Sequence, residues 1–405
     1  MRRFFDIVRD ELGNIVHNGG VMLIFIGALV AYSALYGLIY HPEVVEKIPM
    51  AVVDMDGTPA SRKITRMLNS TSVAQVAYTP SSLESGKNLF MDRKVWGVLY
   101  IPEGFERNSL SQTQNHVSLY ADGSYFMLYS SFMGSVSEVV MAAGAEIQME
   151  TLVAAGIEPA QAEVISQPIK YKIDNLFNPY SGYATSLLPA VIVVILQQTL
   201  LIGIGLLLGR YNEFGMWAKY KDSSALTLTF GKALAYIIFY IPLIFYVFWI
   251  DYKMFGYPMK ENTLELILFI IPYILSVVFL GITLGSLFQK PESSLLYISC
   301  LSMFFIMISG ITWAKEGMPI WLYGMGHLLP STNGIDGIVR LRTTGASLSD
   351  VAGQWIILWI LSFVYAVTAV LALARARIRN PHELLEADNG HSEFKVTVNP
   401  ETEEI

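Results

Sequence analysis

Six uncharged, apolar windows punctuate the chain, at Val21–Tyr40, Leu187–Leu208, Ala233–Ile250, Leu266–Phe288, Leu295–Trp313 and Trp355–Ala374. Each is long enough to cross a hydrocarbon core about 30 Å thick as an α-helix, which satisfies its own backbone groups there. A helix of a water-soluble core rarely carries such a run, because its outer face needs polar residues. The pattern predicts an α-helical polytopic membrane protein with six transmembrane helices, one at 21–40 and five within 183–379. The first window is too long for a signal peptide and no small-residue cleavage site follows Tyr40, so it reads as a retained span.

Ahead of that span, Phe5, Val8, Leu12 and Ile15 recur at helical spacing, with Arg3, Asp6, Arg9, Asp10 and Asn14 between them. This predicts an amphipathic interfacial helix over residues 1–20, lying on the membrane surface or packing on another subunit. Over 41–182 short apolar runs alternate with polar helical stretches, the pattern of an α/β domain inserted between the first and second spans. Its strand candidates are Met50–Val53, Val73–Tyr78, Val95–Ile101 and Val117–Ala121, each β-branched or aromatic and ended by turn residues. Ser81 with Glu84 reads as a capping box opening one helix. A longer helix starts from Tyr125, with Leu128, Phe132, Val136, Val140, Ala143 and Ile147 on one face. Near 314–340, the run Met318–Leu329 is too short to span but long enough to dip into the bilayer, and Pro319 and Pro330 bracket it. It reads as a re-entrant hairpin at the mouth of a path or as an interfacial helix. The tail, 380–405, is acidic and reads as disordered.

Composition agrees with the pattern: 53% of the 405 residues are hydrophobic and 15% charged, too apolar for an ordinary soluble domain. Alternate loops differ in basic residues. Arg2, Arg3, Arg9, Arg210, Lys219, Lys221, Lys232, Lys290, Arg375, Arg377 and Arg379 fall on one side, and Lys253, Lys260, Lys315, Arg340 and Arg342 on the other. The positive-inside rule then puts both termini in the cytoplasm and the α/β domain outside. The net charge of -7 gives no sign of a nucleic-acid partner. Cys300 is the only cysteine, which excludes an intramolecular disulfide and a thiolate metal cluster; inside a span it reads as an apolar filler.

Chemical motifs are few. An apolar strand runs into Asp54-Met55-Asp56-Gly57-Thr58, a DxDGT pattern that resembles the nucleophile motif of haloacid-dehalogenase-type phosphatases. The further acidic residues that would hold magnesium there are missing, which favours a strand ending in an Asp-Gly turn. No G-x-x-x-x-G-K-[ST] loop occurs; Gly86-Lys87 and Gly231-Lys232 are followed by Asn88 and Ala233. No histidine spacing matches a zinc site, and His327 reads as a local hydrogen-bonding group rather than a proton relay. Gln197 and Gln198 fall at the centre of the second span, where an amide needs a partner; they bond between helices or line a substrate path.

The order of parts, together with IPMAVVDMDGTPASRKI, VWGVLYIPEGFERNSL, VSLYADGS and LFNPYSGY, resembles the ABC-2 type transporter permeases, above all the bacterial multidrug or efflux subfamily with a large outer domain. In the hairpin, Ser309-Gly310, Met318-Pro319 and Pro330-Ser331-Thr332 followed by Asp336, Gly337 and Arg340 are similar to that family's SG, MP and P-x-T-x-x-x-[DE]-G-x-x-R pattern. Two departures stand out. The family's E-x-G-T segment after the second span has Glu213 and Gly215 here but Met216 in place of threonine, and the proline between SG and MP is absent.

The resemblance implies the permease subunit of an ATP-driven exporter in the bacterial inner membrane. It implies a partner ABC ATPase that holds ATP and magnesium, so that no cofactor is bound by this chain. A second permease copy or a related permease would complete the path, and a periplasmic adaptor (membrane fusion) protein is a further partner. Glu213 and Gly215 are then candidates for ATPase coupling, against the alternative of a solvated loop glutamate, and Pro319, Pro330, Gly337 and Arg340 belong to the re-entrant hairpin. Other readings are a membrane-anchored extracytoplasmic binding or adaptor-docking protein and a tethered phosphatase.

Overall fold

A computed structural model describes residues 2–111, 113–169, 176–178, 182–311, 313 and 315–379; the acidic tail lies outside them. The chain forms two compact units, one of Met1–His41 with Phe177–Ile405 and one of Pro42–Leu176. The first unit opens with α1 (Arg2–Val16) and α2 (Gly19–Tyr40), the latter with a π-turn over Leu23–Ala28. Asn18 separates them, its side-chain oxygen accepting the Val21 N–H at 3.2 Å and so capping α2.

The second unit is an α/β layer structure. Its sheet has the order β2-β1-β3-β4, with β1 (Ile48–Asp54), β2 (Ala74–Tyr78) and β3 (Gly97–Ile101) parallel and β4 (Ser118–Ala121) antiparallel. α3 (Pro59–Asn69) connects β1 to β2, and α4 (Leu83–Met91) connects β2 to β3. Alternation along the strands separates two cores. Met50, Val52, Leu99 and Ile101 pack with Ile64 and Leu68 of α3, while Ala51, Val53 and Val98 face Leu83, Leu89 and Phe90 of α4. After α5 (Phe105–Leu110) and β4 comes α6 (Phe126–Ala154), whose Phe132, Val136, Val139, Ala143 and Ile147 complete the first core. α7 (Pro159–Ser166) packs on α6. The cap of α4 differs from the sequence expectation: Ser82, not Ser81, is the N-cap, and its hydroxyl accepts the Ser85 N–H at 3.2 Å. One register step puts Ser85 rather than Glu84 at the third helical position, and its hydroxyl lies 2.9 Å from that of Ser82.

The first unit resumes with α8 (Tyr183–Glu213), α9 (Ala225–Met254), α10 (Thr263–Gly285), α11 (Pro291–Ile308), α12 (Ile320–Gly326), α13 (Pro330–Val339) and α14 (Ala352–Arg379). α8 is central, packing against α2, α10, α11 and α13, and α14 covers α10. Glycines let these helices approach closely. A Cβ at Gly285 would stand 3.1 Å from the Gly205 Cα, and one at Gly203 would stand 2.0 Å from the Phe25 ring.

Among the described residues, seven helices are long and apolar enough to cross a membrane, one more than the windows anticipated. The additional one is α6, whose inner face packs within the α/β unit. The fifth window is also displaced: its helix starts at Pro291 and ends at Ile308, and Gly310, at φ +87°, turns the chain. Cys300 lies on the exposed face of α11 rather than filling a gap. In α1 the inward residues are Ile7, Val8, Glu11 and Ile15, whereas Phe5 is 63% exposed. The amphipathic stripe is rotated because α1 packs on α9, where Ile7 faces Gly231.

Candidate functional site

Two polar constellations stand out in the helical unit. The first joins α1, the end of α8 and the start of α9. Lys232 approaches Glu11 Oε2 at 2.5 Å with both side chains fully shut from solvent. The Tyr211 hydroxyl donates to the same oxygen at 2.7 Å, and the Tyr236 hydroxyl donates to Oε1. The Lys232 ammonium lies 3.6 Å over the Tyr211 ring, with the Trp217 and Tyr220 rings 5.5 and 5.6 Å away. A buried ion pair persists only when such additional donors and aromatic faces offset lost hydration.

The segment between α8 and α9 is held at several points around this pair. Asn212 donates through Nδ2 to the Phe288 carbonyl at 2.6 Å and accepts the Trp217 Nε1–H at 2.7 Å. Arg3 donates to the Asp222 carbonyl at 2.8 Å, Arg377 of α14 donates to the Ser223 and Lys221 carbonyls at 2.7 Å, and Lys219 pairs with Asp10 at 2.7 Å. Gly215, at φ +59°, makes the left-handed turn that ends α8, a conformation glycine adopts without strain. Glu213 is exposed and makes no hydrogen bond or ion pair among the described residues. Sequence reading selected Glu213 and Gly215 but missed Glu11, Tyr211 and Lys232. The signal available was that Ile7, Glu11 and Ile15 share one helical stripe, so a carboxylate sits on an otherwise apolar face.

The second constellation is the hairpin. Pro319 is the N-cap of α12 and Pro330 the first residue of α13, where a missing N–H is tolerated. Between them His327 Nδ1 lies 2.7 Å from Asn333 Oδ1, and Asn333 Nδ2 donates to the His327 carbonyl at 2.9 Å. Tyr365 of α14 donates its hydroxyl to the Leu328 carbonyl. α13 is buried, and Gly337 makes room for the Phe269 ring, which a Cβ would meet at 2.0 Å. Gln197 accepts the Ser331 N–H at 2.8 Å, and Gln198 Oε1 lies 2.7 Å from the Ser302 hydroxyl of α11. Gln197 thus joins the hairpin, while Gln198 joins α11. A cavity of about 300 Å³ between α8, the end of α11 and the hairpin is lined by Leu187, Ile308, Ser309, Tyr323, His327 and Thr332, among others.

Arg340 is half-buried. The arginine enclosed in the fold is Arg342, which donates to Glu261 and to the Phe248 carbonyl and lies 3.9 Å over the Tyr252 ring. Both arginines lie in a π-turn over Arg340–Thr344, in which Leu341 and Arg342 are buried.

In the α/β unit, the two aspartates of the DxDGT segment are committed to backbone donors. Asp54 accepts the N–H groups of Asp56 and Gly57 at 3.0 and 2.9 Å and the Ser61 hydroxyl at 2.7 Å. Asp56 accepts from Gly104, Phe105 and Glu106 N–H at 2.8, 3.0 and 3.0 Å and from the Thr58 hydroxyl at 2.5 Å. Burial alone would raise the Asp56 pKa, but the Thr58 hydroxyl and the three N–H groups outweigh it and hold the carboxyl below its usual range. No cluster of metal-ligating side chains occurs among the described residues.

The family model described as "ABC-2 family transporter protein" matches residues 20–371. Among curated proteins, the "Probable multidrug ABC transporter permease YbhR" of Escherichia coli strain K12 is 25% identical over 207 residues, which covers 51% of this chain and 55% of that protein, and its counterpart in Escherichia coli O157:H7 aligns to the same extent. The chain therefore spans about half the length of these curated relatives. With several membrane-length apolar helices and a family match from α2 into α14, this multi-pass membrane protein belongs to the ABC-2 family of transporters.

Proposed function

We propose that the chain is the permease subunit of an ATP-driven exporter of the bacterial inner membrane, working as one of two permeases with a separate ABC ATPase. The observation that carries this reading is the buried Glu11–Lys232 pair, which makes α1, the end of α8 and the start of α9 one mechanical piece. Glu213 projects from the same piece, so a push on that surface is transmitted to α8 and α9. Six helices cross the membrane in this reading, with both termini cytoplasmic and residues 42–176 outside. The exclusion of α6 from the spans is supported by its Glu146 and Glu150, which hold Lys63 of α3 at 2.9 and 2.8 Å, an arrangement suited to water rather than to lipid.

The test is purification in mild detergent from its native host. An ABC ATPase should copurify, and Glu213→Ala should lower export and substrate-stimulated ATP hydrolysis while assembly stays normal. If assembled Glu213→Ala complexes export and hydrolyse ATP like the parent, Glu213 is not the coupling contact. If no ATPase accompanies the chain, the permease reading fails.

A further inference from the structure

Gln197 lies in mid-α8 with its side chain fully shut from solvent. Its carbonyl oxygen accepts the Ser331 N–H on the first turn of α13. The other end of the amide, Nε2, has no protein hydrogen-bond partner, and neither do the hydroxyls of Ser331 and Thr332, which are 1% and 6% exposed. Thr332 also lines the 300 Å³ cavity. Three buried groups able to donate are therefore gathered at the N-terminal turn of a ten-residue helix, whose unsatisfied N–H groups give it a partial positive charge.

A buried donor without an acceptor is more unfavourable than a made hydrogen bond is favourable. Gln197, Ser331 and Thr332 include no carboxylate that would attract a cation; together they match an acceptor oxygen. The Asp336 carboxylate at the cavity wall is already engaged, accepting from Gln354 at 2.6 Å and facing Lys315 at 3.4 Å. The lining also contains Glu316, which is exposed to solvent, while Leu187, Ala190, Ile308, Ile311 and Ile335 form an apolar stretch of wall that suits hydrocarbon.

We propose that Gln197, Ser331 and Thr332 form a subsite for the acceptor oxygen of an uncharged amphiphile, an ester, amide or ether, whose apolar part lies along the cavity wall. This rests on the permease reading and names the class of molecule that reading would move. An ester-linked membrane lipid and a free amide share this chemistry.

The experiment uses the full chain in lipid nanodiscs with a diazirine-bearing N,N-dimethyldodecanamide, and the same alkyl diazirine without the amide as control. Mass spectrometry reads labelling of residues 319–340. The amide probe should label this segment saturably, with displacement by unlabelled amide or by dioleoylglycerol telling the two sources apart. Thr332→Val and Ser331→Ala should each lower labelling about fivefold, the ratio expected for one hydrogen bond, and Thr332→Ser should keep it. Both hydroxyls lack protein partners, so their removal leaves the fold intact. Equal labelling by the hydrocarbon control, no displacement by either competitor, or no change in the two variants overturns the subsite and leaves the donors to water. ATPase copurification from the same cells separates the two ideas, because its presence without saturable labelling removes the subsite alone.

Discussion

Glu11 and Lys232, 221 positions apart, meet at 2.5 Å inside the protein, and neither side chain touches solvent. The pair joins a short N-terminal helix to the first turns of α9, and Tyr211 joins α8 to the same carboxylate. Removing one member of such a pair is more damaging than removing both, because the survivor keeps its desolvation without its partner. Lys232→Met should therefore lower stability by about 3–5 kcal/mol, and adding Glu11→Gln should recover most of the loss. Thermal unfolding of the detergent-solubilised chain reads both. A single variant as stable as the parent would remove the pair from any structural or coupling role.

Asp56, just after β1, is held to the start of α5 by three N–H donors and accepts the hydroxyl of its neighbour Thr58 as a fourth. Its folded pKa lies below its ordinary value of 3.8, so its contribution is fully present above that value and disappears as pH falls through the folded pKa. Asp56→Asn should destabilise the α/β unit by about 1–2 kcal/mol at neutral pH, and the gap between variant and parent should shrink in acid. The same variant, and Asp54→Asn, should leave phosphatase activity where it begins, at background. A hydrolytic activity lost with Asp54 would reverse the assignment of both groups to the fold.

Close helix contact makes Gly337 and Gly324 a matched pair. A Cβ on Gly337 would overlap the Phe269 ring, while one on Gly324 meets nothing within 4 Å. Gly337→Ala should cost about 1–3 kcal/mol through overpacking, whereas Gly324→Ala should be neutral or slightly stabilising, since alanine favours helix. Equal melting temperatures for the two would show that α13 does not pack on α10 as described.

Topology is open to direct labelling because Cys300 is the only native thiol. In a Cys300→Ala background, a cysteine at the exposed Ser81 should react with an impermeant reagent in spheroplasts, and one at Ser392 should react only after lysis. Labelling of both from outside would reject the six-span arrangement with cytoplasmic termini.

Element positions were legible in the sequence where local pattern reports burial. Strands were anticipated at Met50–Val53 and Val95–Ile101, and the structure has Ile48–Asp54 and Gly97–Ile101, because a pleated strand shows its two faces in alternate residues. The helix from Tyr125 was legible through its apolar stripe, and its observed start is Phe126. The α4 cap was misplaced by one residue because Ser81 and Ser82 are equal candidates by type, and only the backbone angles of Ser82, φ -147° and ψ 155°, make it the cap.

The sequence by itself determined that apolar helices of membrane length dominate the chain, that the stretch after the first of them carries strands, and which hairpin residues resemble a transporter family. Only the tertiary structure decided which polar groups meet. Glu11 with Lys232, Gln197 with Ser331 and Arg342 rather than Arg340 with Glu261 are all long-range choices. The reason is physical: transfer of apolar surface out of water depends on each residue's own area and leaves a periodic trace. A buried charge or amide is tolerated only with a specific partner, and that partner lies wherever helix packing brings it.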